Sequence, residues 1–153
     1  MPKFLSFIDI VKVMKLGFIG TGKITSSVIT GIYSSKIKFN NIWISPRNKK
    51  IANNLKKNFN KIIIARNNQE IADNCTWVFL SVTPTVGKKI IKEIKFKSNQ
   101  TIISFISTTT LAQLRKAIKV KAKIIRAIPL PPISLKKGPV PICPPNKKVK
   151  DFF

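Results

Sequence analysis

Residues 15–27 read KLGFIGTGKITSS, and this stretch decides the fold of the chain. A short apolar run ends at Gly20-Thr21-Gly22, and residues 24–33, which are compatible with a helix, follow at once. This order of strand, glycine turn and helix is the context in which a dinucleotide-binding turn occurs. A glycine pair alone also occurs in ordinary strand–turn–helix units, so the prediction depends on the rest of the chain.

The residues of the turn have distinct predicted tasks. Gly20 allows a tight reversal of the chain, and Gly22 lacks a Cβ atom, so that a pyrophosphate can approach the backbone. The amides of Lys23 and Ile24 would lie at a helix N-terminus, where free N–H groups and the helix dipole favour an anion. The third small position of the fingerprint falls on Thr25, which we expect to crowd the contact between helix and strand.

Beyond the turn, apolar segments alternate with helical ones. The predicted strands are 16–19, 42–45, 61–65, 77–82, 101–105 and 123–128, and the predicted helices are 24–33, 49–59, 70–74, 86–94 and 111–118. The strands are nearly continuous apolar runs, as expected when helices cover both faces of a parallel sheet. We therefore predict an α/β fold: a Rossmann-like, doubly wound, mostly parallel sheet with a ligand crevice at the carboxyl ends of its strands.

The predicted organisation has three parts. Residues 15–128 are expected to form one dinucleotide-binding domain. Residues 1–14 lack the cleavage site of a signal peptide and are expected to be an N-terminal extension. Met14 is an alternative start of translation, because the first predicted strand begins just after it. Most of the ten prolines lie in residues 129–145, too many for the interior of a helix or sheet. Residues 129–153 are therefore predicted to be an extended connector, on the surface or across the crevice, followed by the start of a truncated element.

Composition excludes several kinds of site. The 153 residues include no His, which excludes imidazole catalysis and His-ligated metals. Cys75 and Cys143 fit neither a zinc spacing nor a disulfide framework, and we expect both to be small buried residues in a reducing cytoplasm. The chain has only five acidic residues, and glycosidase chemistry is not supported. No metal site is predicted.

The formal net charge of +24 comes mostly from Lys residues that are spread along the chain beside Ile and Asn. A protein that binds nucleic acid specifically gathers its basic residues on one face, whereas this bias is typical of an AT-rich genome. We expect weak, nonspecific binding to nucleic acid at low salt and no specific nucleic-acid partner. No apolar run is long enough to span a bilayer, so that no membrane partner is predicted.

The end of the second predicted strand indicates which nucleotide would bind. An NAD-specific site would have an Asp or Glu there for the ribose 2′-hydroxyl, whereas this chain has Ser45-Pro46-Arg47 and no acid nearby. Ser45 can donate a hydrogen bond to a phosphate oxygen, and Arg47 offers a planar, bidentate guanidinium. We therefore predict NADP(H) as the cofactor. The alternative is a solvated basic loop in a Lys-rich protein.

Several motifs, in order and with matching gaps, resemble one family. They are the glycine turn, Ser45-Pro46-Arg47, Asn68, Ser81-Val82-Thr83-Pro84, the loop at 104–111, and RAIPLPP at 126–132. Over residues 15–151 they are similar to the pyrroline-5-carboxylate reductases, the last enzymes of proline biosynthesis. The most specific of them resembles that family's Arg-x-Met-Pro-Asn-Thr-Pro signature.

The resemblance implies a cofactor site and a reaction. The implied cofactor-binding residues are Gly20, Thr21, Gly22, Lys23 and Ile24 for the pyrophosphate, Ser45 and Arg47 for the 2′-phosphate, Asn68 for the adenosine, and Val82, Thr83, Pro84 and Ser107 for the ribose and nicotinamide. The implied reaction is hydride transfer to a cyclic imine, which gives proline. It needs no nucleophile or metal, and no catalytic side chain can be named.

Two parts of these motifs, the loop at 107–110 and Arg126, also have an alternative interpretation. Residues 107–110 would equally serve as the N-cap region of the following helix. Arg126 would serve either as a clamp for a substrate carboxylate or as a structural partner of a backbone carbonyl.

The chain also departs from the family pattern. Thr83 replaces the family's usual Lys, Leu130 its usual Asn, and Ile106-Ser107-Thr108 its Ala-Ala-Gly, all on the nicotinamide side. The family continues into a helical dimerisation domain that completes the substrate pocket, and we expect this domain to be missing or supplied by a separate chain. Two other functions stay open: an NADP(H)-dependent oxidoreductase with another substrate, or a noncatalytic module that binds NADP(H) or polyanions.

Overall fold

The computed structural model describes residues 14–153. Met14 begins the first strand, and the rest of the predicted N-terminal extension lies outside the described residues. The strands are β1 Met14–Ile19, β2 Phe39–Ile44, β3 Ile62–Ile64, β4 Trp77–Leu80, β5 Thr101–Ser104, β6 Lys123–Ala127 and β7 Ile142–Cys143. The helices are α1 Lys23–Tyr33, α2 Lys49–Asn58, α3 Asn68–Asn74, α4 Pro84–Glu93, α5 Leu111–Ala117 and α6 Lys147–Phe152, with a 3-10 helix at Pro131–Leu135.

The seven strands of the described part of the chain form one sheet in the order β3-β2-β1-β4-β5-β6-β7, in which only β7 is antiparallel. The predicted Rossmann-like, doubly wound sheet is confirmed. The register places Ile19 beside Leu80, and Leu80 beside Ser104. Because the central strands end in one row, the loops that follow them open on the same edge of the sheet.

The strands form because their side chains are apolar on both faces, and each face is covered by its own helices. On one face, Val28 of α1 and Leu55 of α2 share a core with Phe18 and Phe79. The rings of Phe18 and Phe79 stack at 4.4 Å across β1 and β4. The core of the other face contains residues from α3, α4 and α5, namely Ile71, Ile91 and Leu114. Burial of these nearly continuous apolar runs stabilises the parallel sheet.

Helix caps fix where several loops end. Asn48 caps α2 by accepting the Ile51 N–H, and Thr110 forms a reciprocal capping box with Gln113 at the start of α5. Of residues 107–110, for which an N-cap role is the alternative prediction, Thr110 is the residue that caps α5. Within residues 14–153, no helix combines the length and the apolar character needed to cross a membrane.

The segment after β6 differs from the predicted extended connector. It contains the 3-10 helix, the edge strand β7 and α6, and β7 pairs with β6 through Arg126–Cys143 and Ala127–Ile142. The prolines are compatible with this because they begin the 3-10 helix or flank an edge strand, where a missing N–H is tolerated. Cys143 is therefore exposed, and its predicted burial is wrong. Cys75 is buried as predicted, and burial raises the pKa of its thiol to about 12.

The segment packs on the α1 face of the sheet and does not cross the crevice. The carbonyl oxygen of Ile133 lies so close to Gly31 that a Cβ there would be 2.5 Å from it. Phe152 of α6 is buried, with its ring centroid 5.2 Å from that of Trp77 and 5.6 Å from that of Phe79. The end of the chain thus belongs to the core beneath α1.

We predict that Phe152→Ala lowers the free energy of unfolding by roughly 3 kcal/mol, because it removes a buried aromatic ring and leaves a cavity. Chemical denaturation followed by circular dichroism measures this change. Lys148→Ala, at an exposed position of the same helix, is the matched control and should stay within about 0.5 kcal/mol of the parent chain. Equal stability of the two variants would contradict the packing of α6 on the sheet.

Candidate dinucleotide-binding site

A crevice of about 550 Å³ opens at the carboxyl ends of β1, β2 and β4. Its lining consists of Gly20, Thr21, Gly22, Arg47, Asn48, Lys49, Ser81, Val82, Thr83 and Val86. The strand order reverses between β1 and β4, and ligands of open α/β sheets bind at such a switch point. The volume falls within the range of small-molecule and cofactor sites.

Gly20 occupies a position that requires glycine. Its φ is +108°, and a Cβ there would lie 2.0 Å from the carbonyl oxygen of Ser81. Its N–H donates to Ser45 Oγ at 2.9 Å. The turn therefore lies directly against the end of β4, with β2 bracing it from the other side.

Gly22 has a different environment, which fits a phosphate group. It precedes α1, and a Cβ built on it would meet no atom within 4 Å, because the space above it is the open crevice. The first N–H groups of a helix, here including those of Lys23 and Ile24, have no intrahelical acceptor, and among the described residues no side chain caps α1. Free amides at the positive end of an 11-residue helix favour an anion. The residues present thus fit the pyrophosphate of a dinucleotide.

Ser45 does not line the crevice, as the predicted contact with a phosphate would require. Its side chain is buried, and its hydroxyl accepts the Gly20 N–H and donates to Asn68 Oδ1 at 2.6 Å. A hydroxyl has one proton, and this one is used inside the protein. In this arrangement Ser45 is a brace that joins the glycine turn to the start of α3, and a bound phosphate would not contact it. Asn68 likewise stands behind the crevice lining, as the partner of Ser45.

The opposite end of the crevice is electropositive. Arg47 is exposed there beside Asn48 and Lys49. The first turn of α2 contains Lys49 and Lys50 and no acidic residue. Positive side chains at the positive end of a helix dipole are unfavourable, and a bound dianion would relieve this repulsion. Among the residues described, no carboxylate lines the crevice.

The remaining predicted residues lie on the β4 side and beyond it. Val82 and Thr83 line the crevice, and Pro84 begins α4 directly behind them. Ser107 lies on the loop between β5 and α5, outside the lining, and its carbonyl accepts a hydrogen bond from Arg126 Nη2 at 2.5 Å. This bond favours the interpretation of Arg126 as a structural partner of a backbone carbonyl.

Several residues were missed by the sequence analysis. Asn48, Lys49, Ser81 and Val86 line the crevice, and the only signal for them is that each is within two positions of a predicted residue. Thr25, for which we predict crowding of the contact between helix and strand, forms hydrogen bonds at this position. It is fully buried, and its hydroxyl lies 2.8 Å from both the Gly20 carbonyl oxygen and Ser81 Oγ. A hydrogen-bonding residue thus takes the place of the small one.

Comparison with known proteins gives one family and a set of similar structures. The model of the family described as "NADP oxidoreductase coenzyme F420-dependent" matches residues 15–110. A search of curated proteins finds no match. Solved structures with the same fold include three pyrroline-5-carboxylate reductases, each of which is about twice as long as the part of it that this chain matches.

The three structures show the fold over nearly the whole chain. The Streptococcus pyogenes enzyme is 23% identical with a TM-score of 0.73, covering 92% of this chain and 53% of that one. The Plasmodium falciparum enzyme, solved with NADP bound, is 24% identical with a TM-score of 0.75, covering 91% and 52%. The Coxiella burnetii enzyme is 22% identical with a TM-score of 0.77, covering 91% and 53%. The chain spans about half the length of each.

The family match extends from β1 to the N-cap of α5 and so contains the whole lining of the crevice. It covers more than half of the chain. The chain therefore belongs to the family of NADP oxidoreductases described as coenzyme F420-dependent, as an NADP-binding Rossmann domain.

Proposed function

We propose that the chain is the NADPH-binding domain of a pyrroline-5-carboxylate reductase-like enzyme, which reduces 1-pyrroline-5-carboxylate to L-proline in the cytoplasm. The observation that carries the proposal is the crevice, which combines an open glycine backbone at the start of α1 with Arg47 and Lys49 and without a carboxylate. The ordered motifs at residues 15–151 and the likeness to three such reductases support the substrate class.

In this proposal the two ends of the crevice hold the two phosphate groups of NADPH. The pyrophosphate lies against Gly22 and accepts hydrogen bonds from the amides of Lys23 and Ile24, where a Cβ would otherwise intrude. The 2′-phosphate lies against the Arg47 guanidinium and Lys49, at the N-terminus of α2. A carboxylate at this end would repel the 2′-phosphate, whereas a guanidinium binds it through paired hydrogen bonds.

The reactive end of the cofactor lies along the β4 side. Val82 and Thr83 flank the nicotinamide ribose, and Pro84 begins α4 behind them. Ser107 would approach the nicotinamide from the loop after β5. Bound NADPH supplies the hydride, and the protein orients it and excludes water. Asn68 would act on the adenosine site through Ser45, whose hydroxyl donates to Asn68 Oδ1.

The substrate and the rest of the enzyme follow from the same resemblance. A cyclic imine would enter beside Thr83, and a helical dimerisation domain, in the same or another chain, would complete its pocket. A second substrate class is favoured by two observations on the nicotinamide side: Thr83 replaces the Lys of the pattern, and Leu130, which replaces an Asn, is 50% exposed. An NADP(H)-dependent oxidoreductase with another substrate is therefore the alternative.

We predict that NADPH binds the purified chain at least about tenfold more tightly than NADH, a difference of roughly 1.4 kcal/mol. The reason is that only NADPH carries the phosphate that Arg47 recognises. Calorimetric titration near physiological salt measures both affinities. Arg47→Ala should make the two dissociation constants nearly equal, mainly by weakening the binding of NADPH.

Arg115→Ala is the matched control, because it removes the same charge from an exposed position on α5, away from the crevice. It should leave the preference for NADPH unchanged. Equal weakening by the two Arg variants would mean that net charge, and not the crevice, attracts the cofactor. Equal affinities of the parent chain for NADPH and NADH would overturn the role of Arg47.

A glycine pair tests the proposed pyrophosphate position. Gly22→Ala should destabilise the chain by less than about 1 kcal/mol, because its Cβ enters open space and only the N-cap preference is lost. Gly22→Ala should nevertheless weaken NADPH binding at least about tenfold, because the new Cβ occupies the phosphate position. Gly20→Ala, whose Cβ meets the Ser81 carbonyl, should instead lower the melting temperature markedly. A Gly22→Ala chain that binds NADPH normally would place the pyrophosphate elsewhere.

A further inference from the structure

We propose that the hydroxyl groups of Thr25 and Ser81, here called the Thr25–Ser81 pair, hold the two walls of the crevice in register and thereby position the nicotinamide half of the cofactor. One wall is the glycine turn with the start of α1. The other is the loop that follows β4, which contains Val82 and Thr83. The proposal rests on the proposed binding of NADPH in this crevice and adds a positioning role that neither the family match nor the resemblance assigns.

The direction of the hydrogen bonds follows from the chemistry of the groups. Thr25 Oγ1 lies 2.8 Å from the Gly20 carbonyl oxygen and 2.8 Å from Ser81 Oγ. A carbonyl oxygen can only accept, and a hydroxyl has one proton to donate. Thr25 therefore donates to Gly20 and accepts from Ser81. The pair forms one chain of hydrogen bonds from the β4 loop to the glycine turn.

The pair is a defined link because its centre is shielded from water. Thr25 is fully buried, and a buried hydroxyl that loses its partner costs the desolvation of that group. The backbones of the same two loops also touch: Ser81 N–H donates to the Ile19 carbonyl at 2.8 Å, and the Ser81 carbonyl faces Gly20. The side-chain link thus lies where the two walls already meet.

The positions of Thr25 and Ser81 explain how the link would affect cofactor binding. Thr25 lies in the first turn of α1, immediately after the amides proposed to bind the pyrophosphate. Ser81 immediately precedes Val82 and Thr83, which are proposed to flank the nicotinamide ribose. The pair therefore fixes the distance between the pyrophosphate site and the nicotinamide side, whereas the 2′-phosphate site at Arg47 has no bond to it. A Gly or Ala at position 25 could not supply the link.

Two ligands separate this role from general stability. NADPH spans both walls, whereas adenosine 2′,5′-bisphosphate contains only the adenosine half, with its 2′-phosphate and the 5′-phosphate that begins the pyrophosphate, and lacks the nicotinamide half. Thr25→Val, which keeps the shape and removes the hydroxyl, should weaken NADPH about tenfold and adenosine 2′,5′-bisphosphate less than about twofold. Ser81→Ala should have the same effect. The double variant should bind NADPH no more weakly than the weaker-binding single variant, because the two residues share one interaction. Thr25→Ser, which keeps the hydroxyl, should restore NADPH binding.

Thr30→Val is the matched control, because the Thr30 hydroxyl also lies on α1 but bonds only within the helix, to the Ser26 carbonyl. It should leave both affinities unchanged. Weakening of the two ligands to the same extent by Thr25→Val, or additive effects in the double variant, would overturn the positioning role. Unchanged NADPH binding in Thr25→Val would overturn it as well.

A measurement without ligand keeps this test separate from the proposed function. The Ser81 amide donates to the Ile19 carbonyl, and its hydrogen exchange in the free chain should be faster in Thr25→Val than in the parent chain or in Thr30→Val, because the β4 loop has lost its side-chain link. Unchanged exchange would contradict the pair as a link between the walls. Failure of the parent chain to bind NADPH would instead contradict the proposed function, whatever the exchange shows.

Discussion

The contact between Gly20 and the end of β4 is the constraint on which the site depends. Because Gly20 has a positive φ and no Cβ, the turn can lie directly against the Ser81 carbonyl. Ser45 then holds the Gly20 N–H, and Thr25 holds the Gly20 carbonyl. Both polar groups of one glycine are thus bonded to side chains from different elements. This arrangement aims the start of α1 at the crevice and leaves its first amides available to an anion.

Much of the fold could be predicted from the sequence because its signals are local. Nearly continuous apolar strands, the glycine turn and the helical segments between them all lie in short stretches, and each predicted strand and helix before residue 129 is present. The segment after β6 could not be predicted in the same way. Its prolines are a local signal against regular structure, whereas β7 depends on pairing with Arg126 and Ala127, and α6 depends on contacts of Phe152 with Trp77 and Phe79.

The site was predictable in outline and not in its inner contacts. The sequence indicated the turn, Arg47 and the loop after β4, because each follows the end of an apolar strand. It could not indicate which way Ser45 faces, since a serine at a strand end serves equally as a phosphate donor or as an internal brace. Nor could it pair Thr25 with Ser81, because the two hydroxyl groups are 56 residues apart and meet only in the folded sheet. The general excess of Lys also hid the importance of Lys49, which only its place at the start of α2 reveals.

Binding of the cofactor in the crevice is tested most directly by an NMR titration of the isotopically labelled chain with NADP⁺, in which the backbone amide signal of each residue is followed. If NADP⁺ binds in the crevice, the largest shifts fall on residues 20–24, 47–49 and 81–83, the parts of the chain that surround the crevice at the carboxyl ends of β1, β2 and β4. Binding in the crevice would be contradicted if the largest shifts fell on the groove between α4 and α5, which has Lys residues at its rim and Ile91 and Leu114 at its floor. A folded chain whose signals do not move would contradict it as well.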